Sequence, residues 1–543
     1  MNSRTTIHLT ALFLLLALPG PLAAVESPGT LPGLVPRPVH MQAAGGRWTL
    51  TRKTRISAGD GTASEADQLA RDLSTPLGWR LPVVKTPPRK GDIAMVISPT
   101  DPLIGAEGYR LSVTRDRVTI TASTPAGLFY GGVTLRQLLP PEAFNNHPAT
   151  KRPGAFWNVG CVEIRDQPRF PWRGLLLDPA RHFLPPEYVK RFVDIMADHK
   201  LNSLQLHLTD DQGWRLEIKK YPRLTQIGSR RAESPKPGDR NQGDGKPYGP
   251  FFYTQQEIRD LVAHARSRHV TLVPEIEIPG HFRAALAAHP EYSCTGGPFE
   301  VRTRWGVEPD ILCPGNDAAV AFAKDVLAEV CELFPGRFIH IGGDEAPRDR
   351  WKQCPKCQAR IKAEGLKNEA ELQTWLNHRL EEFLASKGRR LIGWDEILEG
   401  GLTPGAAVMS WRGTDGGLAA AKAGHDVVMS PTTHCYLDYA QEKGPGEPEA
   451  IGGFVPLEKV YSFDPIPSGL PPASHPHILG AQGNLWSEFL QTPQDVEYFA
   501  FPRAAALAEV LWSPATTNGF ADFQLRLKTH ARRLDQLGVN HRK

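Results

Sequence analysis

Arg337-Phe338-Ile339-His340-Ile341-Gly342-Gly343-Asp344-Glu345-Ala346-Pro347 decides how this chain is read. Phe338, Ile339 and Ile341 have the texture of a short buried strand, and the glycine pair ends it. Two carboxylates, Asp344 and Glu345, then follow back to back. Within a regular strand, neighbouring side chains point to opposite faces, so the pair could not address one substrate from there. Just past the strand, after two glycines, the backbone is free to aim both into one cleft. A lone Asp-Glu pair in a turn is more often simply solvated. What sets this pair apart is recurrence: strand, then reactive residue, repeats along the chain.

From Phe170 onward strands and helices alternate. Strands are expected at 172–178, 202–208, 270–276, 337–342, 390–394, 406–411, 425–430 and 477–486. Amphipathic helices lie between several of them, at 187–197, at 318–333, and where Leu372, Trp375, Leu376, Leu380, Phe383 and Leu384 share a face. This pattern fits the α/β class, a (β/α)8 TIM barrel whose strand ends carry the active site. The expected strands run in turn into Arg181-His182, Asp210-Asp211, Gly280-His281, Asp344-Glu345, Trp394, Trp411, Tyr436 with Asp438, and Trp486 with Glu488. Arg173 stands at the start of its strand and reads as structural. Residues 229–251 read as a long loop on the active-site face, and 520–539 as a last helix against the barrel.

Upstream, short strands at 92–97, 109–113 and 118–121 and helices at 63–73 and 124–139 suggest a small α+β domain. It holds no cluster of reactive residues, so a packing role is expected. The division is then a leader over 1–24, the α+β domain over 25–168, and the barrel with its final helix over 169–543.

The leader has the layout of a secretory signal: Arg4, an apolar run from Leu9 to Leu18, and Leu22-Ala23-Ala24 as cleavage site. That run is shorter than the ~18 residues of a membrane span, so export without a stable anchor is expected, to the periplasm or the exterior. The 543 residues carry 63 basic and 59 acidic side chains, a net charge of +4 with no basic run, which argues against a nucleic-acid partner. Of seven cysteines, Cys294 with Cys313 and Cys354 with Cys357 could form disulfides in an oxidising compartment. A metal reading of Cys354-Pro355-Lys356-Cys357 lacks a second ligand pair of suitable spacing, so no metal is expected.

Aromatic rings beside carboxylates and an arginine suit a sugar: pyranose C–H faces stack on rings, and hydroxyls need paired donors and acceptors. With no Gly-rich phosphate loop, acid–base chemistry without a cofactor is expected. Arg173-Gly174, Asp178-Pro179-Ala180-Arg181-His182-Phe183, His207-Leu208-Thr209-Asp210-Asp211-Gln212-Gly213-Trp214, Pro279-Gly280-His281 and His340 to Glu345 resemble the β-N-acetylhexosaminidases of glycoside hydrolase family 20. Met409-Ser410-Trp411-Arg412-Gly413, Tyr436-Leu437-Asp438-Tyr439 and Leu485-Trp486-Ser487-Glu488 do so too.

The resemblance implies an exo-acting retaining enzyme on oligosaccharides or glycoconjugates with terminal β-linked N-acetylglucosamine or N-acetylgalactosamine. It further implies Glu345 as general acid and base, and Asp344 as holder of the 2-acetamido group. Trp394, Trp411 and Trp486 would wall the acetamide pocket, and Tyr436 would hydrogen-bond its carbonyl. Arg181, Asp438 and Glu488 would bind ring hydroxyls, with Asp210 and His281 in a polar network behind. Phe282, Gly483-Asn484 and Cys435 depart from the commoner pattern. Neighbours such as Asp344 and Glu345 are poorly placed to attack one bond from opposite sides, so the acetamido oxygen is the expected nucleophile. Glu345 would need a raised pKa, from partial burial and the adjacent Asp344. Alternatives are a relative that releases a disaccharide, and a carbohydrate-binding barrel without catalysis.

Overall fold

The computed structural model describes residues 33–99, 105–145, 157–515 and 519–543. The leader and its cleavage site lie outside the described residues. The eight expected strands all form, and close into one parallel barrel: β1 (Trp172–Leu177), β2 (Ser203–His207), β3 (Thr271–Glu275), β4 (Phe338–His340), β5 (Arg390–Trp394), β6 (Ala407–Ser410), β7 (Val427–Met429) and β8 (Ile478–Leu485). Closure comes from β8 pairing with β1, from Gly480 opposite Trp172 to Leu485 opposite Leu177. All six residues of β1 are buried, as expected of a parallel strand covered on both faces. The lumen is filled by Trp172, Leu176, Val273, Ile392, Met409 and Val428.

Toward the carboxyl ends of the strands the lumen turns polar. Gln482 donates to Gln205 at 2.8 Å, and Gln205 to Glu275 at 2.8 Å. Around the barrel run helices such as Pro186–Asp198, Asp317–Leu333 and Glu369–Ser386. In the last of these Leu372, Leu376, Leu380 and Leu384 are buried, whereas Trp375 and Phe383 flank the face and are only half-buried.

The N-terminal domain is a seven-stranded mixed sheet with helices Ala63–Leu77 and Pro125–Leu138. Besides the expected strands it contains two longer ones, His40–Leu50 and Trp157–Asp166, paired antiparallel. Its seam with the barrel is built from buried ion pairs at the amino ends of the strands. Arg173 meets Glu107 at 2.7 Å, and Lys200, buried, meets Asp166 at 2.8 Å and the Tyr109 hydroxyl at 2.9 Å. The structural reading of Arg173 therefore holds. The final helix, Phe520–Gln536, packs against both domains rather than the barrel alone: Arg526 pairs with Glu509 at 2.6 Å, while Arg533 donates to the carbonyls of Gly33 and Gln137.

Candidate active site

Ten of the eleven residues singled out from sequence line one cavity of about 580 Å3 at the carboxyl ends of the strands: Arg181, His281, Asp344, Glu345, Trp394, Trp411, Tyr436, Asp438, Trp486 and Glu488. The eleventh, Asp210, lies underneath, fully buried, with its carboxylate 2.8 Å from Arg181.

The turn that carries Asp344 and Glu345 follows β4. Gly342 and Gly343 both take positive φ, +65° and +95°, conformations that side chains resist. A Cβ on Gly342 would lie 1.9 Å from the Glu277 carboxylate. The turn is held from both sides: Trp394 N–H donates to Gly342 O at 2.9 Å, and the Gln373 amide donates to Gly343 O at 2.8 Å. Glu345 itself sits at φ +41° and His281 at +47°, an uncommon conformation for residues other than glycine that clusters at functional sites. The loop after β3 presses against this turn, since a Cβ on Gly280 would come within 2.7 Å of Asp344 O.

His281 joins the two carboxylates. Its Nε2 lies 3.4 Å from Glu345 Oε2 and 3.7 Å from Asp344 Oδ2. On the other side Nδ1 lies 3.2 Å from Asp211 and 3.6 Å from Asp210, so Asp211 rather than Asp210 is its nearer partner. Burial disfavours the imidazolium, but Asp210, Asp211 and Glu345 more than offset that and hold its pKa well above the ordinary value. Asp344 is buried, and that burial pushes its carboxyl up to about 6, with Glu275 and Glu345 adding to the effect and His281 opposing it. Glu345 is exposed, and the hydrogen bond from His281 holds its pKa below the usual carboxylate value. This corrects the expectation of a raised Glu345: in the open cleft the imidazole outweighs burial and the charge of Asp210.

The walls are indoles fixed through their N–H groups. Trp394 donates to Glu275 at 2.7 Å and Trp411 to Glu396 at 2.9 Å, while Trp411 stacks on Tyr436 with centroids 6.1 Å apart. Trp486 lies under the Arg181 guanidinium, 5.3 Å from its centroid. Arg181 is clamped by Asp178, Gln212 and Asp210 and reaches toward Glu488 at 3.9 Å. Beneath, His207 bridges Glu275 at 2.6 Å and Asp210 at 3.1 Å. Asp344 Oδ1 is buried and accepts no hydrogen bond in the protein. The same holds for the Asp438 oxygens and Glu488 Oε2 beyond what their own backbone supplies.

Sequence reasoning gave no role to Glu275, Glu277, Glu396 or Asp211. The alternation Glu275-Ile276-Glu277 at the end of an otherwise apolar strand was the available signal, because buried acids need a purpose. The outer rim takes Trp305 and Ile451 from loops, and Arg240 and Asn241 from the strand Asp239–Gly243 of a small hairpin within the expected 229–251 loop. That segment does reach this face. The departures from the commoner pattern serve packing. Phe282 is buried edge-on to Phe322, Cys435 is buried, and a side chain at Gly483 would strike Leu437 at 2.8 Å.

Fold and cleft together define a barrel glycoside hydrolase, with carboxylates at one strand end and an aromatic cage opposite. Residues 170–515 match the catalytic domain of glycosyl hydrolase family 20, and residues 31–167 match domain 2 of that family. The chain belongs to glycosyl hydrolase family 20. It is 44% identical over 515 residues to a β-hexosaminidase of Porphyromonas gingivalis, covering 94% of this chain but only 64% of that longer protein. It is 36% identical to a β-hexosaminidase of Vibrio furnissii, covering 88% of this chain and 76% of the relative. Among solved structures, the family 20 β-N-acetylhexosaminidase of Streptomyces coelicolor superposes with a TM-score of 0.82 at 34% identity, covering 95% of this chain and 99% of that one. The exo-β-N-acetylglucosaminidase of Vibrio harveyi in complex with N-acetylglucosamine also gives 0.82, at 32% identity over 95% of this chain and 80% of that one.

Proposed function

We propose that the chain is an exo-acting, retaining β-N-acetylhexosaminidase that removes terminal β-linked N-acetylhexosamine with the help of the substrate's own acetamido group. The observation that carries this reading is Asp344 Oδ1, a buried carboxylate oxygen without a donor, beside Glu345 and inside an aromatic cage. Buried acceptors are rarely left unpaired, and an acetamide N–H would pair this one while its methyl group packs among Trp394, Trp411 and Trp486.

The chemistry follows from that placement. Protonated Glu345 gives its proton to the glycosidic oxygen as the C1–O bond breaks. The acetamido carbonyl oxygen forms a new bond to C1 and closes an oxazolinium ring, with Tyr436 donating to that oxygen. Asp344 accepts the N–H and stabilises the positive charge spreading over the ring. Glu345, now a carboxylate, takes a proton from water; the water oxygen attacks C1, the ring opens, and two inversions give net retention. Arg181, Asp438 and Glu488 hold ring hydroxyls during these steps. A pair of carboxylates attacking from opposite faces is the usual retaining arrangement, whereas Asp344 and Glu345 both face the same His281 nitrogen.

Chitin oligomers are a substrate class consistent with this pocket, and the 1–24 leader supports export of the mature chain. The deciding experiment compares 4-nitrophenyl β-N-acetylglucosaminide with the matching β-glucoside. Release from the first alone is expected; comparable rates on both would remove the acetamido group from the mechanism.

A further inference from the structure

Four cysteines from two loops meet beside the catalytic turn. Cys294 and Cys313 lie in the connection after β3, and Cys354 and Cys357 in the helical connection after β4. Neither expected disulfide forms; all four are free thiols. Cys313 Sγ lies 3.5 Å from Cys357 Sγ and 3.8 Å from Cys354 Sγ, and Cys294 Sγ lies 3.7 Å from Cys357 Sγ. All four sulfurs fall within 4.8 Å of one another.

These spacings are far from the roughly 2.05 Å of a disulfide. They fit another geometry: four sulfurs set tetrahedrally about 2.3 Å from one zinc ion are roughly 3.8 Å apart. We propose that Cys294, Cys313, Cys354 and Cys357 hold one structural Zn2+ that fastens the β3 loop to the β4 loop. The second ligand pair that the Cys-Pro-Lys-Cys motif lacked is supplied by residues far apart in sequence, which spacing alone does not reveal.

The surroundings are those of a closed site. Gly315 N–H donates to the Cys313 and Cys357 sulfurs, as backbone amides do around zinc-bound thiolates. A side chain at Gly315 would sit 2.3 Å from the Cys357 nitrogen. Ile311, Trp351 and Leu372 bury the cluster, with Ala346 against it. Four thiolates leave no open position, so the ion is structural and takes no part in catalysis; its binding releases four thiol protons. Its influence on the cleft runs through the loops. Trp351 donates to Leu312 O at 3.0 Å, and Leu312 N–H donates to Pro279 O at 3.1 Å, two residues before His281. Ala346 directly follows Glu345.

The test is metal content, independent of any activity. Protein purified without chelator, measured by elemental mass spectrometry, should carry about one zinc per chain. Denaturation with chelator but without reductant should then expose all seven thiols to Ellman's reagent, the four of the cluster with Cys161, Cys331 and Cys435, whereas two disulfides would leave three. Exchange with Co2+ should give the intense visible d–d bands of a tetrahedral thiolate site. In Cys354→Ser/Cys357→Ser the ion should be lost and the melting point lowered; if that variant does not fold, the wild-type stoichiometry and cobalt spectrum decide alone. A metal-free chain about 4 Da lighter than its all-thiol mass, hence carrying two disulfides, would overturn the proposal. So would a folded, reduced chain that takes up no Zn2+ or Co2+.

Discussion

The His281 imidazole lies 3.4 Å from the Glu345 carboxylate and holds its pKa below the ordinary value. The acid of the proposed reaction is therefore kept charged in the open cleft by the residue that orients it. A sugar that enters and displaces this contact lets Glu345 recover its proton affinity.

Replacing the imidazole tests that coupling. A depressed pKa means that the protonated acid is lost at lower pH than otherwise, so His281→Asn should move the alkaline limb of the kcat/KM profile to higher pH. Maximal activity should fall at the same time, because Asp344 and Glu345 lose their common anchor. An unchanged alkaline limb would show that another group sets it.

Glu345→Gln removes the proton donor without changing shape. General acid help is typically worth ~10²–10⁴-fold, and it is needed most when the leaving alcohol is a poor one. Natural glycosides should therefore lose nearly all turnover, while glycosides of acidic phenols lose less rate in the glycosylation step. Near wild-type rates on both substrate types would rule out Glu345 as the acid.

Asp344→Asn should lower kcat by roughly 10²-fold or more, since a neutral amide stabilises a cationic ring poorly. Fluorination of the substrate's acetyl group should slow the wild-type enzyme progressively. A thiazoline mimic of the cyclic intermediate should bind far more tightly than substrate. Trapping a sugar ester on any carboxylate during turnover would contradict the cyclic intermediate.

Glu396 tests how the cage is held. Burial, with the charge of Asp344 beside it, raises its pKa to about 8, so it is mostly a neutral carboxylic acid accepting from Trp411 Nε1 at pH 7. Glu396→Gln keeps an acceptor of the same size and should change kcat little. Glu396→Ala leaves the indole N–H without its partner and should raise KM and lower kcat together, at little cost in melting temperature. Equal effects of the two variants would deny Glu396 the positioning role.

The seam between domains should be a stability element. Lys200→Ala strips Asp166 of its buried cation, and breaking a buried pair from one side costs about 3–5 kcal/mol. Urea unfolding should show that loss, while KM in the remaining folded protein stays unchanged.

The barrel was legible because its strands are short, mostly apolar runs separated by helical stretches, and each leads to a reactive residue. The alternation of such runs with amphipathic helices therefore found all eight. The strands His40–Leu50 and Trp157–Asp166 were not, since they mix exposed and buried positions and His40–Leu50 carries two glycines with a register shift between Ala43 and Arg47. Within the site, residues at strand ends were legible, whereas rim residues such as Trp305 were not, because loops place side chains without a repeating pattern. The sign of the Glu345 shift depends on one imidazole coming from the neighbouring strand's loop, a contact that no local sequence window contains. The cysteine cluster was hidden for the same reason.

The charges under the cleft alternate: Glu275 well below the ordinary carboxylate pKa, His207 raised to about 10, Asp210 lowered, and Arg181 well above the ordinary guanidinium value. Burial opposes every one of these ionised forms, and each is restored by its neighbour in the row. Along this row every buried charge touches one of opposite sign, and Asp178 adds a further carboxylate to Arg181. Being buried, these pairs are also screened little by salt. This floor thus fixes Arg181 by matched charges, while the cleft groups whose protonation changes near neutral pH, Asp344 and Glu396, stand above it in the turn and the wall.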